Sequence, residues 1–454
     1  MASEIKLLVE IVKIKGGKRL PKGESLQTDE NKHPYIRVRD MGGRYIPKNG
    51  LEYVPENIFP KISRYIVEEN DVIISIVGTV GLVSIIDKYF HKASQTENCA
   101  KLSGLSEVDA KYLYYYLISP CGQQEISTYT VGAVQPKLPL YGIESISVPW
   151  FKESKRAEIA HILGSLDDKI ELNRQMNETL EAMAQALFKS WFVDFDPVID
   201  NALVAGNAIP DEFAERAEQR KAIEKKEYSE IQKLFPDEFE FTEEMGWIPL
   251  GWAVSNVGTE FNTVGGGTPS TKNSDFWENG DISWTTPKDL SGNQSKILLN
   301  TDRKITELGL NKISSGLLPM DTVLMSSRAP VGYLALAKVP VAINQGYIAL
   351  KCEKILTPEF AIQWADSAMD EIKQRAGGTT FAEISKTNFR GIPILVPSQK
   401  IIDAYSRDVK DLYNQITSRI ENINTLAKLR DTLLPKLMSG ELRIADAEAL
   451  VEHV

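Results

Sequence analysis

The feature that most constrains the fold of this chain is an internal repeat, because similarity at a fixed interval implies a repeated structural unit. Four landmarks of the first half return in the same order in the second half. They are GGKRLP and GGGTP, ending at Pro21 and Pro269; the segments around Asp40 and Asp289; the segments around Asp71 and Asp321; and IESISVP and RGIPILVP, ending at Pro149 and Pro397. The four offsets are 248, 249, 250 and 248 residues, so the sequence predicts two homologous folding units.

Each repeat ends in a long segment of helical periodicity, and the two segments correspond at an offset of 246 residues. Apolar residues recur there at steps of three and four, with Asn173 and Asn177 in the first stripe. Such a stripe indicates a coiled-coil seam, although an amphipathic helix on a globular core gives a similar pattern. We expect the two helices to pair, with the asparagines fixing their register. The predicted seam residues are Leu166, Ile170, Leu180, Leu187, Trp191, Leu412, Ile416, Ile423, Leu426, Leu433 and Leu437.

The remainder of each repeat mixes short β-rich runs, Gly/Pro turns and helices around 109–127 and 357–375, which indicates an α+β globule. The predicted architecture is two tandem α+β domains joined by two long antiparallel helices and related by a pseudo-twofold axis. Between the repeats, EFAERAEQRKAIEKKEYSEIQKLF predicts a charged helix of about 24 residues. The predicted segments are the first globule at 1–150, a central helical region with this connector at 151–246, the second globule at 247–397 and a distal helical region at 398–454.

The composition is that of an ordinary water-soluble protein, with 43% hydrophobic and 25% charged residues. Apolar runs fall well short of the roughly 18 residues that a membrane span needs, and the first residues lack the uncharged core of a signal peptide. A cytoplasmic protein without a membrane partner is therefore expected. Cys99, Cys121 and Cys352 stand far apart without a CxxC pair, which predicts reduced structural thiols rather than disulfides or zinc ligands.

The formal net charge of −10 argues at first sight against a polyanionic partner. The charge is uneven, however, with net values of +1, −10, 0 and −1 for the four predicted segments in chain order. Because the negative charge is concentrated in the central segment, the two globules are left neutral and locally basic. Nucleic acid is therefore not excluded as a partner, but weak non-specific affinity is predicted.

Recognisable catalytic motifs are incomplete or missing from the sequence. An adenine methyltransferase needs an Asn/Asp-Pro-Pro-aromatic loop, and the nearest match is FDPV at 195–198, with one proline. The glycine-rich GGGTPST at 265–271 fails as a phosphate-binding loop, because Lys272 has neither a preceding glycine nor a following Ser/Thr. A tight turn is predicted there instead.

Two further patterns also favour a protein without catalytic residues, metal or cofactor of its own. Pro210-Asp211 with Glu224-Lys225-Lys226 has the residue types of a PD...ExK nuclease, but the second group lies in the predicted charged helix, so we interpret it as chance. The histidines are scattered and suggest neither a zinc site nor a Ser/His/Asp triad; they are His33, His91, His161 and His453.

Three long motifs make the chain resemble the specificity subunits of Type I restriction-modification systems. GWIPLGW followed by GGGTPSTKNSDFWENGDISWTTPKDL opens the second repeat as target-recognition domains of that family open. DDKIELNRQMNETLEAMAQALFKSWFVDFDPV at 167–198 looks like the family's central helical region, and LAKLRDTLLPKLMSGELRI at 426–444 looks like the distal one. The opening of the first repeat, GGKRLPKGE, departs from the usual GGTP form.

The resemblance implies a non-catalytic subunit that reads a bipartite target in double-stranded DNA, one half per globule. It also implies docking of two methyltransferase subunits, which carry the S-adenosylmethionine chemistry, with restriction and motor subunits in the full complex. A stand-alone DNA-binding regulator and an enzyme with an unrecognised motif remain open.

Basic residues of the turn-rich segments are candidates for DNA contact, because arginine can read guanine and either basic side chain can hold phosphate. A solvated surface charge is the alternative for each of them. The candidates are Lys18, Arg19, Arg37, Arg39, Arg44, Lys288, Lys296, Arg303, Lys304 and Arg328.

Overall fold

The computed structural model describes residues 4–222, 230–292, 295–378 and 382–452. The chain forms two compact units, one made of residues 1–171 and 422–454 and the other of residues 172–421. Each unit contains one repeat together with a stretch from each of the two long helices. The first unit is therefore discontinuous in sequence, and the second is continuous.

The first repeat begins with a strand, ends in a 40-residue helix and contains the strands of one small sheet between them. Its elements in chain order are β1 (Glu4–Leu7), α1 (Leu8–Ile11), β2 (Lys13–Gly16), β3 (Tyr35–Ile36), α2 (Phe59–Ile62), β4 (Val72–Ser75), β5 (Val83–Ile85), β6 (Ser94–Gln95), β7 (Cys99–Ser103), α3 (Glu107–Ile118), α4 (Pro120–Tyr129), α5 (Leu140–Glu144), β8 (Ser147–Trp150) and α6 (Glu153–Phe192).

A connector then leads into the second repeat, which ends in a 41-residue helix. The connector holds α7 (Asp196–Ala205), α8 (Ala214–Lys221), β9 (Phe239–Thr242) and β10 (Gly246–Pro249). The elements that follow are β11 (Ala253–Asn256), α9 (Val257–Glu260), β12 (Asn262–Gly265), β13 (Ile282–Thr285), β14 (Ile297–Leu298), β15 (Arg303–Ile305), α10 (Glu307–Leu310), β16 (Val323–Ser327), β17 (Val331–Ala337), β18 (Ala342–Ile343), β19 (Tyr347–Lys351), α11 (Pro358–Ser367), α12 (Met369–Gln374), α13 (Lys386–Arg390), β20 (Pro393–Val396), α14 (Gln399–Ser439) and α15 (Ile444–Glu452).

The two repeats share one topology, which confirms the predicted α+β repeat. The first has an antiparallel sheet of order β2-β7-β4-β5, and the second repeats that order as β12-β19-β16-β17 and adds β14 at the edge. Each also has a short parallel ladder, β3 with β6 and β13 with β18. In each, the first strand pairs with the strand that precedes the long helix, β1 with β8 and β11 with β20.

Local sequence explains why these elements form where they do. Every residue of β4 is buried. This is expected for a strand that has consecutive β-branched residues and does not alternate apolar with polar residues. Ser106 caps α3 by accepting a hydrogen bond from the Asp109 N–H at 3.2 Å, and Thr357 caps α11 by accepting one from the Phe360 N–H at 3.4 Å. The two caps are 251 residues apart in the chain.

The central strands follow this same offset of 251 residues, one more than the Asp71–Asp321 landmark. Ser75 and Ser326 each donate from Oγ to the carbonyl four residues later and accept the N–H seven residues later. The structural counterpart of Asp321 is therefore Asn70, and these two residues share positive φ angles of 63° and 69°. Asp71 is buried instead, and its burial raises its pKa.

In the first unit, the beginning of α6 runs antiparallel to the end of α14. Asp167 accepts a hydrogen bond from Arg430 at 2.7 Å, while Phe151, before α6, lies beside Gly440, after α14. The predicted seam residues of this unit are buried or half-buried and pack with the core of the first globule; they are Leu166, Ile170, Ile423, Leu426, Leu433 and Leu437.

In the second unit, the end of α6 likewise runs antiparallel to the beginning of α14. The rings of Trp191 and Tyr405 are 5.9 Å apart, and Gln363 donates to Glu181 at 3.1 Å and to Tyr413 at 2.8 Å. The predicted seam residues of this unit are also buried or half-buried, within the core of the second globule; they are Leu180, Leu187, Trp191, Leu412 and Ile416.

Each apolar stripe thus has features of both a coiled-coil seam and an amphipathic core helix, since it packs on the other long helix and on the core of a globule. Phe188 and Tyr405 lie outside the predicted seam but belong to the same buried cluster. Asn173 is half-buried and Asn177 buried, yet the Oδ1 atom of Asn177 has no hydrogen-bond partner among the described residues. Its proposed role in fixing helix register stays a prediction.

The connector is held by ion pairs between its two helices. Arg216 and Arg220, one turn apart on α8, pair with Asp196 and Asp200 on α7. Although burial favours the neutral acid, hydrogen bonds from Arg216 and Ser190 lower the pKa of Asp196. The aspartate of FDPV therefore anchors the start of a helix. Of the predicted charged helix, α8 covers Ala214–Lys221, and residues 223–229, which include Glu224, Lys225 and Lys226, lie outside the described residues.

Candidate nucleic-acid interface

A glycine-containing segment packs beside the short parallel ladder of each globule. A Cβ atom at Gly17 would lie 2.1 Å from the carbonyl oxygen of Thr96, and one at Gly266 would lie 1.9 Å from that of Ile343. Both segments therefore pack directly on neighbouring backbone. The tight turn predicted for GGGTPST is wrong, because residues 266–270 form no turn and Gly265, Gly266 and Gly267 lack positive φ angles; close packing is what requires the glycine. In the second globule the Trp284 indole N–H also donates to the Gly267 carbonyl at 3.1 Å.

In the first globule this segment exposes two cations. Lys18 and Arg19 are exposed and make no ion pair in the described part of the chain, and the Lys18 ammonium lies 5.7 Å from the centre of the Tyr65 ring. Tyr35, on the parallel ladder, donates from its hydroxyl to the Lys18 carbonyl at 2.9 Å. The backbone of this segment is therefore fixed while both cationic side chains remain available to a phosphate.

Arg37 and Arg39 come directly after β3 in the chain, and both pair with the carboxylates of Asp40 and Glu52. Arg37 is half-buried and pairs with Asp40 and Glu52. Arg39 has 65% of its side chain exposed and reaches Glu52 at 3.0 Å. Arg39 can thus turn to an external anion, whereas Arg37 is used to hold the loop together.

In the second globule one aspartate links the two segments that carry three of the candidates. Asp289 accepts the N–H of Thr286 through Oδ2 and the N–H of Asp302 through Oδ1, at 2.7 and 3.1 Å. Asp289 thereby ties the segment that carries Lys288 to the residue that precedes Arg303 and Lys304 of β15. Lys288 and Lys304 are exposed and make no ion pair in the ranges that the structure describes.

Arg303 is stacked on two tryptophans that sequence reasoning did not single out. Its guanidinium carbon lies 3.6 Å from the Trp277 ring centre and 5.3 Å from that of Trp284, and the two indoles are nearly perpendicular. Stacking of this kind fixes the plane of a guanidinium, which favours bidentate contact with a base edge. The signal in the sequence was FWENGDISW, which places the two tryptophans seven residues apart beside a basic strand.

The remaining three candidates are placed differently. Arg328 lies in the loop after β16, with Nη1 3.8 Å from Glu383. Arg44 and Lys296 are mostly buried, and their side chains are bound to carboxylates of their own unit. Lys18, Arg19, Lys288, Arg303 and Lys304 are thus exposed, Arg39 is exposed but paired with a carboxylate, and Arg37, Arg44 and Lys296 are largely taken up by partners within the protein.

The described residues contain no cluster of three or more His, Cys, Asp or Glu side chains able to hold a metal ion. Within them, none of the helices is both long and apolar enough to cross a membrane.

The repeated fold and its paired long helices agree with the comparisons to known proteins. Residues 3–182 and 249–425 each match the family of the Type I restriction modification DNA specificity domain. Since these matches cover more than half of the sequence, the chain belongs to that family.

The chain is similar to the HindI specificity subunit of Haemophilus influenzae, a Type I restriction enzyme subunit, with 31% identity over 331 residues, 68% of this chain and 71% of the relative. The MjaIX specificity subunit of Methanocaldococcus jannaschii is 36% identical over 164 residues, 36% of this chain and 38% of the relative. The crystal structure of the Type I restriction-modification S subunit from M. genitalium has the same fold, with a TM-score of 0.52, 16% identity, and coverage of 96% of this chain and 95% of that one.

Proposed function

We propose that this chain is the sequence-specific DNA-binding subunit of a Type I restriction-modification complex and reads a bipartite target, one half-site per globule. The observation that carries the proposal is that the two globules share one backbone topology but carry different side chains at equivalent positions. The equivalent segments after β2 and β12 carry Lys18 and Arg19 in the first globule but Gly267 and Thr268 in the second. A shared backbone with divergent side chains is what two readers of different half-sites require.

The second globule offers the better-defined base reader. Exposed lysines such as Lys288 and Lys304 position a protein on phosphates, whereas an arginine held flat by aromatic rings can pair with guanine through two hydrogen bonds. Arg303 on Trp277 therefore supplies sequence discrimination in our proposal. The lysines beside it supply mostly salt-dependent affinity.

The chemistry of the complex is assigned to two methyltransferase subunits, joined by restriction and motor subunits in the full assembly. This chain is then non-catalytic. A docking surface for a methyltransferase subunit is supported by an apolar stripe on α6, where Leu172, Met176 and Met183 are 57%, 38% and 52% exposed. Leu172 and Met176, together with Leu180 and Arg419, line an open groove of about 340 Å³. Exposed apolar patches of this kind mark protein interfaces.

The proposal is tested by exchanging one globule. The chain is co-expressed with its methyltransferase subunit, and host DNA is sequenced with detection of methylated bases. Replacing residues 1–150 by the matching globule of a relative should change one half of the methylated motif and leave the other half intact. A change in both halves would contradict independent reading, and the chain expressed without the methyltransferase subunit should leave DNA unmethylated.

A point variant tests the base reader. Arg303→Lys keeps the charge but loses the planar fork, so one base of one half-site should become degenerate. The expected loss of discrimination is about 1–3 kcal/mol, or roughly 5- to 150-fold. Lys304→Arg, next to it on the same strand, serves as the control and should leave the motif unchanged.

A further inference from the structure

We propose that Arg44 and Lys296 are equivalent positioning residues: each fixes the orientation of its globule on the α6 segment of its own unit. The two residues would then control how strictly the spacing of the half-sites is enforced. This role presupposes the half-site reading proposed above and assigns no DNA contact to either side chain.

The backbone shows that the two residues are counterparts. The Arg44 carbonyl accepts the Ile85 N–H at 2.7 Å, and the Lys296 carbonyl accepts the Leu336 N–H at 2.8 Å. In each repeat the residue after the cation pairs in parallel with that same strand residue. Ile85 and Leu336 are 251 residues apart, the offset already given by the helix caps.

In the first unit, the Arg44 side chain is 11% exposed and bridges the globule to α6. It donates to the Gly164 carbonyl at 3.1 Å and to the Tyr115 hydroxyl at 3.3 Å, and it pairs with Asp168. Tyr115 in turn donates to Asp167, also on α6, at 2.7 Å. Burial alone would lower the pKa of the guanidinium, but Tyr115 and Asp168 raise it above its usual value.

In the second unit, the Lys296 side chain is 17% exposed and bridges the globule to α6 in a similar way. Its ammonium lies 3.0 Å from Glu181 on α6 and 2.8 Å from Asp366 on α11. Asp366 and Tyr115 lie nine residues after their helix caps, so the two bridges pass through equivalent positions. The same bridge is thus built from different side chains.

Orientation explains these contacts better than stability or DNA reading. The cations are mostly buried, but Asp168 and Asp366 are 69% and 36% exposed, so desolvation and solvent screening leave these pairs little net stability. Each cation nevertheless contacts more than one fixed acceptor, which restricts its orientation. A cation that contacted a phosphate would first have to leave its carboxylate partners. The orientation of a DNA-binding globule must be held closely, since misplacement by about 1 Å has large effects on recognition and catalysis.

The test uses the full chain in complex with its methyltransferase subunit and sequences the methylated DNA. Arg44→Met and Asp168→Asn should keep both half-sites but relax the spacing. Discrimination against targets with one base pair more or less in the spacer should fall by roughly 10- to 100-fold, the range expected for a misplacement of about 1 Å. Lys296→Met should relax the spacing in the same way. Asp168 is a useful partner variant because 69% of its side chain is exposed, so its loss should not impair folding.

Two controls separate this role from a structural one. Arg44→Lys should retain much of the spacing discrimination, and Glu158→Gln removes an exposed charge of α6 that has no ion pair in the described residues. A base becoming degenerate in Arg44→Met, a proportional loss of methylation at all targets, or unchanged spacing would each overturn the proposal. A wild-type complex that methylates no bipartite target would instead refute the proposed function.

Discussion

Alanine at Gly266 should damage the second globule, whereas alanine at the adjacent Gly267 should be tolerated. A Cβ atom at Gly266 would lie 1.9 Å from the carbonyl oxygen of Ile343 and 2.5 Å from that of Asn344. Carbon and oxygen atoms normally approach to about 3.3 Å, so one of the two backbone segments would have to move by more than about 1 Å. At Gly267 the nearest atom to such a Cβ is 3.8 Å away, which is an ordinary contact.

The expected magnitude follows from the size of this clash. Overpacking costs about 1–3 kcal/mol, and the upper end applies because backbone rather than a flexible side chain must yield. For a unit of 250 residues, each kcal/mol lowers the Tm by about 2–4 °C, so Gly266→Ala should lower the transition of the second unit by about 6–12 °C. Gly267→Ala should not lower it and should raise it by at most about 4 °C, because a tolerated Gly→Ala change stabilises by about 0.4–1 kcal/mol.

Differential scanning calorimetry of the full chain measures both variants directly. The first globule provides a second matched pair. Gly17→Ala places a Cβ 2.1 Å from a carbonyl oxygen, whereas the Cβ of Gly16→Ala would have no atom of the described residues within 4 Å beyond its chain neighbours. Equal transition temperatures for Gly266→Ala and Gly267→Ala would show that close backbone packing does not require a glycine at position 266.

Two further predictions concern charge and thiol chemistry. The double variant Lys288→Gln/Lys304→Gln should reduce the slope of log Kd against log salt concentration by about 1.8, or about 0.9 for each phosphate contact that is lost. The control is Lys351→Gln, because the Lys351 ammonium is already paired with a carboxylate. An unchanged slope for the double variant would show that neither lysine contacts DNA phosphate. Exposed Cys121 should react with a thiol reagent in the native chain at neutral pH. Burial raises the pKa of Cys99 to about 12, so Cys99 should react only after unfolding. Mass spectrometry of labelled peptides distinguishes the two thiols.

The repeat and the long helices could be predicted from the sequence because both leave periodic signals. Leu166 and Ile170 mark the buried face of α6 by spacing alone. The fate of individual cations could not be predicted, since it depends on distant partners. Arg44 meets α6 120 residues further on, and Lys296 meets it 115 residues earlier. The segments MGGRYIP and GNQSKIL also share no pattern that would align these two cations.

The discontinuity of the first unit sets an order for folding on the ribosome. Residues up to 171 emerge first, but Leu426, Leu433 and Leu437, which complete their core, are translated about 250 residues later. At roughly 5–20 residues per second this is a delay of about 12–50 s, during which the apolar face around Leu166 lacks its partner helix. The continuous second unit can fold within that interval. A nonsense mutation near codon 421 would therefore leave the second globule complete and remove part of the core of the first.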